Sequence, residues 1–182
     1  VIQVSRSVER STHVGFSSWT YSIEEENRWQ LAGMNPLELD VSQDGQTLAF
    51  VSEGMHEDIQ EPHQSLTLMR ADGSCLRHFP FRGRLHTGPS INSDGTLVAY
   101  TEHQPYVYPY VDTYSIIRVA TVDYDPVSCF SVVENVMLTD EIENVHCRHP
   151  SMSSDGQLVA YTSDRGGDYE IYVARSDGTE YV

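Results

Sequence analysis

Residues 151–178 read SMSSDGQLVAYTSDRGGDYEIYVARSDG, a stretch with two Asp-Gly pairs, each bordering a short apolar run. Such a segment is either an acidic ligand loop or one unit of a repeat. Alignment within the chain decides for the repeat. VSQDGQTLAFVS at 41–52, INSDGTLVAYTE at 91–102 and MSSDGQLVAYTS at 152–163 superpose without a gap. A second phrase follows each: LTLMRADG at 66–73, IRVATVDY at 117–124 and IYVARSDG at 171–178. The middle copy carries Tyr124 where the others have Gly73 and Gly178, and Pro126 follows, so a wider turn is expected there.

Asp-Gly between short apolar runs is a hairpin signal, because Gly accepts positive φ and Asp bonds backbone groups just ahead of it. The runs are rich in Val, Ile, Tyr and Thr and read as strands. Each unit is therefore a four-stranded antiparallel meander. In TLVAY and QLVAY the apolar residues are consecutive rather than alternating, which requires cover on both faces of the second strand. Sheets covered on both faces and repeated at this spacing specify an all-β fold, a β-propeller of four-stranded blades. Ala49, Ala99 and Ala160 recur where neighbouring sheets must approach closely.

These phrases resemble TolB-type propeller repeats. That pattern runs from a proline through an aromatic residue and Ser-Pro-Asp-Gly to Ala-Phe, then Ile-Tyr-Val before a second Asp-Gly. Pro89 and Pro150 match the opening proline, and Ile171, Tyr172 and Val173 match the third strand. Val41, Ile91 and Met152 replace the aromatic residue, and Gln43, Ser93 and Ser154 replace the second proline. The resemblance covers residues 37–182 and is specific for fold. It implies an envelope-associated or extracytoplasmic setting, on the periplasmic or extracellular side, including association with a membrane protein complex.

Three blades are legible, at about 37–86, 87–147 and 148–182. Residues 1–36 hold strand-like stretches, VIQVSRSV and HVGFSSWTYSI, and form a possible diverged blade, although IEEENRWQLAG reads equally as a short helix or a turn. Three blades do not close a ring, since propellers take four to eight. The expected architecture is thus an incomplete propeller, a fragment of a longer ring or one completed by a partner.

The chain has 182 residues and a formal net charge of −16, with eleven cations that are all Arg. So acidic a chain is repelled by nucleic acid and by anionic membrane surfaces, and neither is an expected partner. No apolar run reaches the length of a membrane-spanning helix. The three cysteines, Cys75, Cys129 and Cys147, leave at least one thiol free or used between chains, and their spacing matches no zinc pattern.

In a propeller the Asp-Gly turns lie at one end of each blade and the remaining connections at the other, where all the length variation is expected. EGMHEDIQEPHQS and EHQPYVYPYVDTY are long, DRGGDY is short, and the connector TDEIENVHCRH is extended. Long segments displayed by a rigid scaffold carry function. Tyr106, Tyr108, Tyr110 and Tyr114, with His103, Asp112, Glu141 and Glu143 nearby, are candidate partner-binding residues, since tyrosine is enriched at interfaces.

His146, Cys147 and His149 are weak candidates for a transition metal, and Asp164, Asp168 and Glu170 for Ca²⁺. No cofactor is expected. GFSSW at 15–19 lacks the second glycine of a nucleophile elbow, and no phosphate-cradling loop or His-Glu zinc pair appears. The expected function is a non-enzymatic scaffold and protein-interaction module within a larger assembly. Alternatives are the gating propeller of a serine peptidase and a ligand- or metal-binding propeller.

Overall fold

The computed structural model describes residues 3–5, 19–21, 28–30, 35–56, 59–80, 86–103, 114–142 and 144–179, and every regular element among them is a strand. Near the start, β1 (Gln3–Ser5), β2 (Trp19–Tyr21) and β3 (Arg28–Gln30) form a three-stranded antiparallel sheet. Blade one is the meander β4 (Asn35–Val41), β5 (Thr47–His56), β6 (Ile59–Arg70) and β7 (Arg77–Pro80). Blade two follows as β8 (His86–Ile91), β9 (Leu97–His103), β10 (Ser115–Asp125) and β11 (Cys129–Met137). Blade three has β12 (Cys147–Met152), β13 (Leu158–Ser163) and β14 (Glu170–Arg175) among the described residues. The first strands lie side by side, β4 against β8 and β8 against β12, as the inner strands of successive propeller blades do.

The repeated phrase explains the repeated turn. Between β4 and β5 the Thr47 N–H donates to Ser42 Oγ at 2.9 Å, Ser42 Oγ donates to Asp44 Oδ1 at 2.5 Å, and the Gln46 N–H donates to the same Oδ1 at 2.9 Å. Blade three repeats the set with Ser153, Asp155, Gln157 and Leu158. In blade two Asn92 stands for the serine: its Oδ1 accepts from the Leu97 N–H at 3.0 Å, and Asp94 accepts from the Thr96 N–H and hydroxyl. Ser or Asn is needed because the side chain must accept a backbone N–H across the turn. Gly is needed because Gly45, Gly95 and Gly156 sit at φ of 69°, 78° and 72°.

The core lies between the sheets, and each interface pairs the rear of one blade with the front of the next. Ala49, Leu66 and Leu68 of blade one pack against Ile91, Val98, Tyr100, Ala120, Val122 and Phe130 of blade two. One register later Ala99, Ile117 and Val119 pack against Val159, Tyr161 and Ala174 of blade three. Adjacent residues on β9 thus face opposite neighbours, and Val98, Ala99 and Tyr100 are all fully buried. This accounts for the unbroken apolar run. Ala49 and Ala99 are the small residues at the two interfaces, as expected.

Backbone bonds also join the blades. The Asp44 N–H donates to Ser93 O at 3.2 Å, and the Ser93 N–H to Ser154 O at 2.9 Å. The Ile91 N–H reaches Asp40 Oδ2 at 2.9 Å, and one blade on, the Met152 N–H reaches Ser90 Oγ at 3.0 Å.

Two expectations change. The β10–β11 turn is displaced rather than widened. The position matching Gly73 is Tyr124, which continues the strand through a bulge at Thr121/Val122. The pairing then runs out to Asp125↔Cys129, with Asp125 capping the N–H groups of Val127 and Ser128. Length variation is therefore not confined to one end of the blades. In addition, EGMHEDIQEPHQS is largely ribbon rather than loop, because β5 and β6 stay paired out to His56↔Ile59.

The extended β10–β11 ribbon leans over blade one. A disulfide joins Cys75 to Cys129, Arg77 donates to Ser128 O at 3.0 Å, and the Arg70 guanidinium lies 4.7 Å from the Tyr124 ring centroid. Cys147, the remaining thiol, is free and buried.

Candidate functional site

Antiparallel pairing places the β5–β6, β9–β10 and β13–β14 connections at the end of the blades opposite the Asp-Gly turns, together with the links from one blade to the next. Tyr106, Tyr108, Tyr110, Asp112 and Glu143 lie outside the described residues. The flanks of their segments are placed. His103 ends β9 and is half-buried, Tyr114 precedes β10 and is half-buried, and Glu141 is exposed on the connector from β11 to β12.

That connector is held at several points. The Ile117 N–H donates to Thr139 Oγ1 at 3.0 Å, and the Leu138 N–H to Ile117 O at 2.9 Å. Ser115 pairs with His146 in an isolated parallel bridge, its N–H donating to Val145 O at 3.1 Å and its hydroxyl to Cys147 O at 3.0 Å. On the other side the His146 N–H donates to Asp164 Oδ1 at 2.6 Å. Ser115, Thr139 and Asp164 thus hold residues 138–139 and 145–147 in place. Ser115 and Thr139 were missed by sequence reasoning, since a hydroxyl beside a connector carries no signal until its backbone partner is known.

The metal candidates are dispersed by the same geometry. The Cys147 thiol is buried at the interface of blades two and three, where it contacts Ser163 Oγ at 3.3 Å. His149 is exposed in a bulge that opens the β12–β13 ladder between Arg148 and Ser151, at φ 54°. Asp164 is engaged by the connector, Glu170 accepts from the Tyr172 hydroxyl at 3.2 Å, and Asp168 is exposed. Among the described residues no three His, Cys, Asp or Glu side chains form a group able to hold a metal.

A buried charge lies toward the same end of blade two. Glu102, 1% exposed, pairs with Arg118. At the equivalent place in blade one, the hydroxyls of Ser52 and Thr67 bond at 2.7 Å. The signal was available: Glu102 occupies the repeat position held elsewhere by Ser52 and Ser163.

The turn end is polar and negative. Hydrogen bonds from the Ser74 and Thr96 hydroxyls hold the carboxyls of Asp72 and Asp94 below the ordinary range, and Ser153 and Thr179 do the same for Asp155 and Asp177. Backbone N–H bonding, led by Ser128, lowers Asp125. These carboxylates are committed to turn geometry.

No family model matches the sequence, and no curated protein matches it. Solved structures do. A puromycin-hydrolyzing peptidase of Mycobacterium tuberculosis matches with a TM-score of 0.68 at 17% identity, over 100% of this chain and 30% of that one. A putative TolB from Agrobacterium tumefaciens matches with a TM-score of 0.56 at 18% identity, over 91% and 53%. The β-propeller domain of the trilobed protease from Pyrococcus furiosus matches with a TM-score of 0.54 at 12% identity, over 83% and 42%. The fold is an incomplete β-propeller, and the chain spans from about a third to about half of these proteins.

Proposed function

We propose that this propeller is a non-enzymatic scaffold that binds a protein partner through the end opposite its Asp-Gly turns, as a subunit of an extracytoplasmic or envelope-associated assembly. The observation that carries this reading is the contrast between the two ends. At one end the first hairpin turn is spanned in all three blades by a backbone N–H donating to the side chain of Ser42, Asn92 or Ser153. At the other, the connections differ in every blade: a ribbon after β5, the tyrosine-rich segment after β9 and a short turn after β13. The Cys75–Cys129 disulfide supports an oxidising compartment, because such bonds persist outside the cytosol. Among the described residues no helix is long and apolar enough to cross a membrane.

The test is cross-linking of the natural protein in envelope extracts, comparing it with a variant carrying Tyr106→Ser, Tyr108→Ser and Tyr110→Ser. Loss of a specific cross-linked partner with an unchanged Tm supports the reading. A large fall in Tm means that the rings pack internally and opposes it.

A second reading is favoured by the match to the peptidase of Mycobacterium tuberculosis over the full length of this chain. In that case the propeller gates a serine peptidase unit elsewhere in the same polypeptide. Labelling of the natural protein by a fluorophosphonate probe, which reacts with activated serine hydroxyls, distinguishes it.

A further inference from the structure

Both partners of the Cys75–Cys129 disulfide stand in backbone conformations that suit glycine. Cys75 lies at φ 52° and Cys129 at φ 67°, in the left-handed region that an L side chain enters at a cost. Cys75 follows the turn between β6 and β7, and Cys129 closes the turn between β10 and β11. Glycine would serve either place better, so the sulfur and not the turn accounts for the residue. Backbone outliers of this kind mark switching and functional positions.

The two sulfurs are unequally placed. Cys75 packs against the core cluster shared by blades one and two. Cys129 is half-buried at the foot of the ribbon turn, where every residue from Asp123 to Ser128 is exposed. Two guanidiniums sit at the joint. Arg77, two residues from Cys75, donates to Ser128 O at 3.0 Å, beside Cys129, and Arg70 lies 4.7 Å from the Tyr124 ring centroid. A cation beside a cysteine favours its thiolate, and a favoured thiolate leaves a disulfide faster. The nearby carboxylates are turned into their own turns: Asp72 accepts from the Ser74 N–H and hydroxyl, and Asp125 from those of Ser128.

We infer that Cys75–Cys129 is an exchangeable disulfide, the substrate of a dithiol oxidoreductase, and that its reduction unlatches the β10–β11 ribbon from blade one. One thiolate of the dithiol attacks Cys129 Sγ, the open side of the bond. The S–S bond breaks and its electron pair leaves on Cys75 Sγ, as a thiolate near Arg77. The second thiolate of the dithiol then attacks its own partner's sulfur in the mixed disulfide and expels the Cys129 thiolate. The oxidoreductase departs as a disulfide, two electrons have passed to this protein, and both cysteines take up protons from solvent. Among the described residues, the Arg77–Ser128 hydrogen bond and the Arg70–Tyr124 contact then hold the tip to blade one. Phe130, 4% exposed in the core, stays in place and confines the release to the residues before it. The blades remain folded, and the freed tip is a surface that only the reduced protein presents.

Timed reduction of the natural protein tests the assignment. It is held under native conditions with dithiothreitol as the dithiol, quenched with iodoacetamide and read by peptide mass spectrometry. Cys147, free and buried, reports unfolding. The expected result is that Cys75 and Cys129 are alkylated together and many-fold faster than Cys147. Equal rates for all three overturn the inference, because the bond then opens only when the chain unfolds. Arg77→Gln should slow reduction several-fold and Arg77→Lys should restore it; an unchanged rate in Arg77→Gln overturns the part given to the cation. With 2-mercaptoethanol the trapped mixed disulfide is expected on Cys129, and its appearance on Cys75 overturns the direction of attack. Hydrogen exchange of the reduced protein should accelerate several-fold at residues 123–129 while the β9–β10 ladder keeps its protection. Unchanged exchange at the tip overturns the unlatching.

Discussion

At the residue scale the turn glycines and aspartates bear different loads. Gly156 needs both a positive φ of 72° and the absence of a side chain beside Leu97 and Asn92. Gly156→Val is expected to cost about 3 kcal/mol, from backbone strain together with overpacking. Gly167, at φ 108° with nothing within 4 Å of a built Cβ, separates the two effects. Gly167→Ala should cost only about 1–2 kcal/mol, and urea denaturation of both variants checks the difference. The aspartates respond to acid. Their folded pKa values lie below the ordinary aspartate value, so unfolding takes up protons as pH falls. Their stabilisation is fully present above the unfolded pKa and is lost as pH drops through the depressed folded values. Tm should therefore fall below about pH 4, and less steeply in an Asp94→Asn, Asp155→Asn double variant whose Tm at neutral pH is already lower. An unchanged slope counts against these carboxylates as the acid-sensitive groups.

At the level of the elements, the β10–β11 ribbon is where the repeat departs from itself. A bulge at Thr121/Val122 and the replacement of Gly by Tyr124 carry the strands past the position at which blade one turns back. The added length brings Cys129 to Cys75, so the outer parts of blades one and two are cross-linked over a separation of 54 residues. For a loop of that size the chain-entropy estimate is about 4 kcal/mol. Replacing both cysteines by Ser should lower the unfolding free energy by about 2–4 kcal/mol, measured by denaturant titration. A loss near zero means that the reduced chain already holds the two blades together. Alignment marked Tyr124 and Pro126 as irregular. It did not disclose the ribbon, because a bulge is set by which residue drops out of the ladder and leaves no composition of its own. The cysteine pairing was equally hidden, since three thiols permit several pairings and only the bent ribbon selects one.

On the scale of the whole molecule, the fold was legible because it is written three times. Ser42, Asn92 and Ser153 each accept an N–H across a tight turn, and that shared requirement survives in the alphabet of the repeat. The opposite end is written once in each blade. Asp164, by sequence a weak candidate oxygen ligand, holds the connector through the His146 N–H. No internal copy was available to expose that role. Asp164→Ala is expected to cost about 1–2 kcal/mol by leaving a half-buried N–H unpaired. Hydrogen exchange at His146 should accelerate while the β9–β10 ladder keeps its protection, and equal acceleration throughout would indicate a global rather than local effect. The turn-to-turn hydrogen bonds run one way, from Asp44 to Ser93 and from Ser93 to Ser154. At the turns blade one thus offers a donor to blade two, and blade two an acceptor to blade one and a donor to blade three. A gene that duplicates or deletes one whole repeat leaves each junction with the pairing it had before, whereas a crossover within a repeat joins unlike edges. Lineages carrying this fold are therefore free to lengthen or shorten in steps of one blade, and recombination breakpoints are expected in the codons between blades.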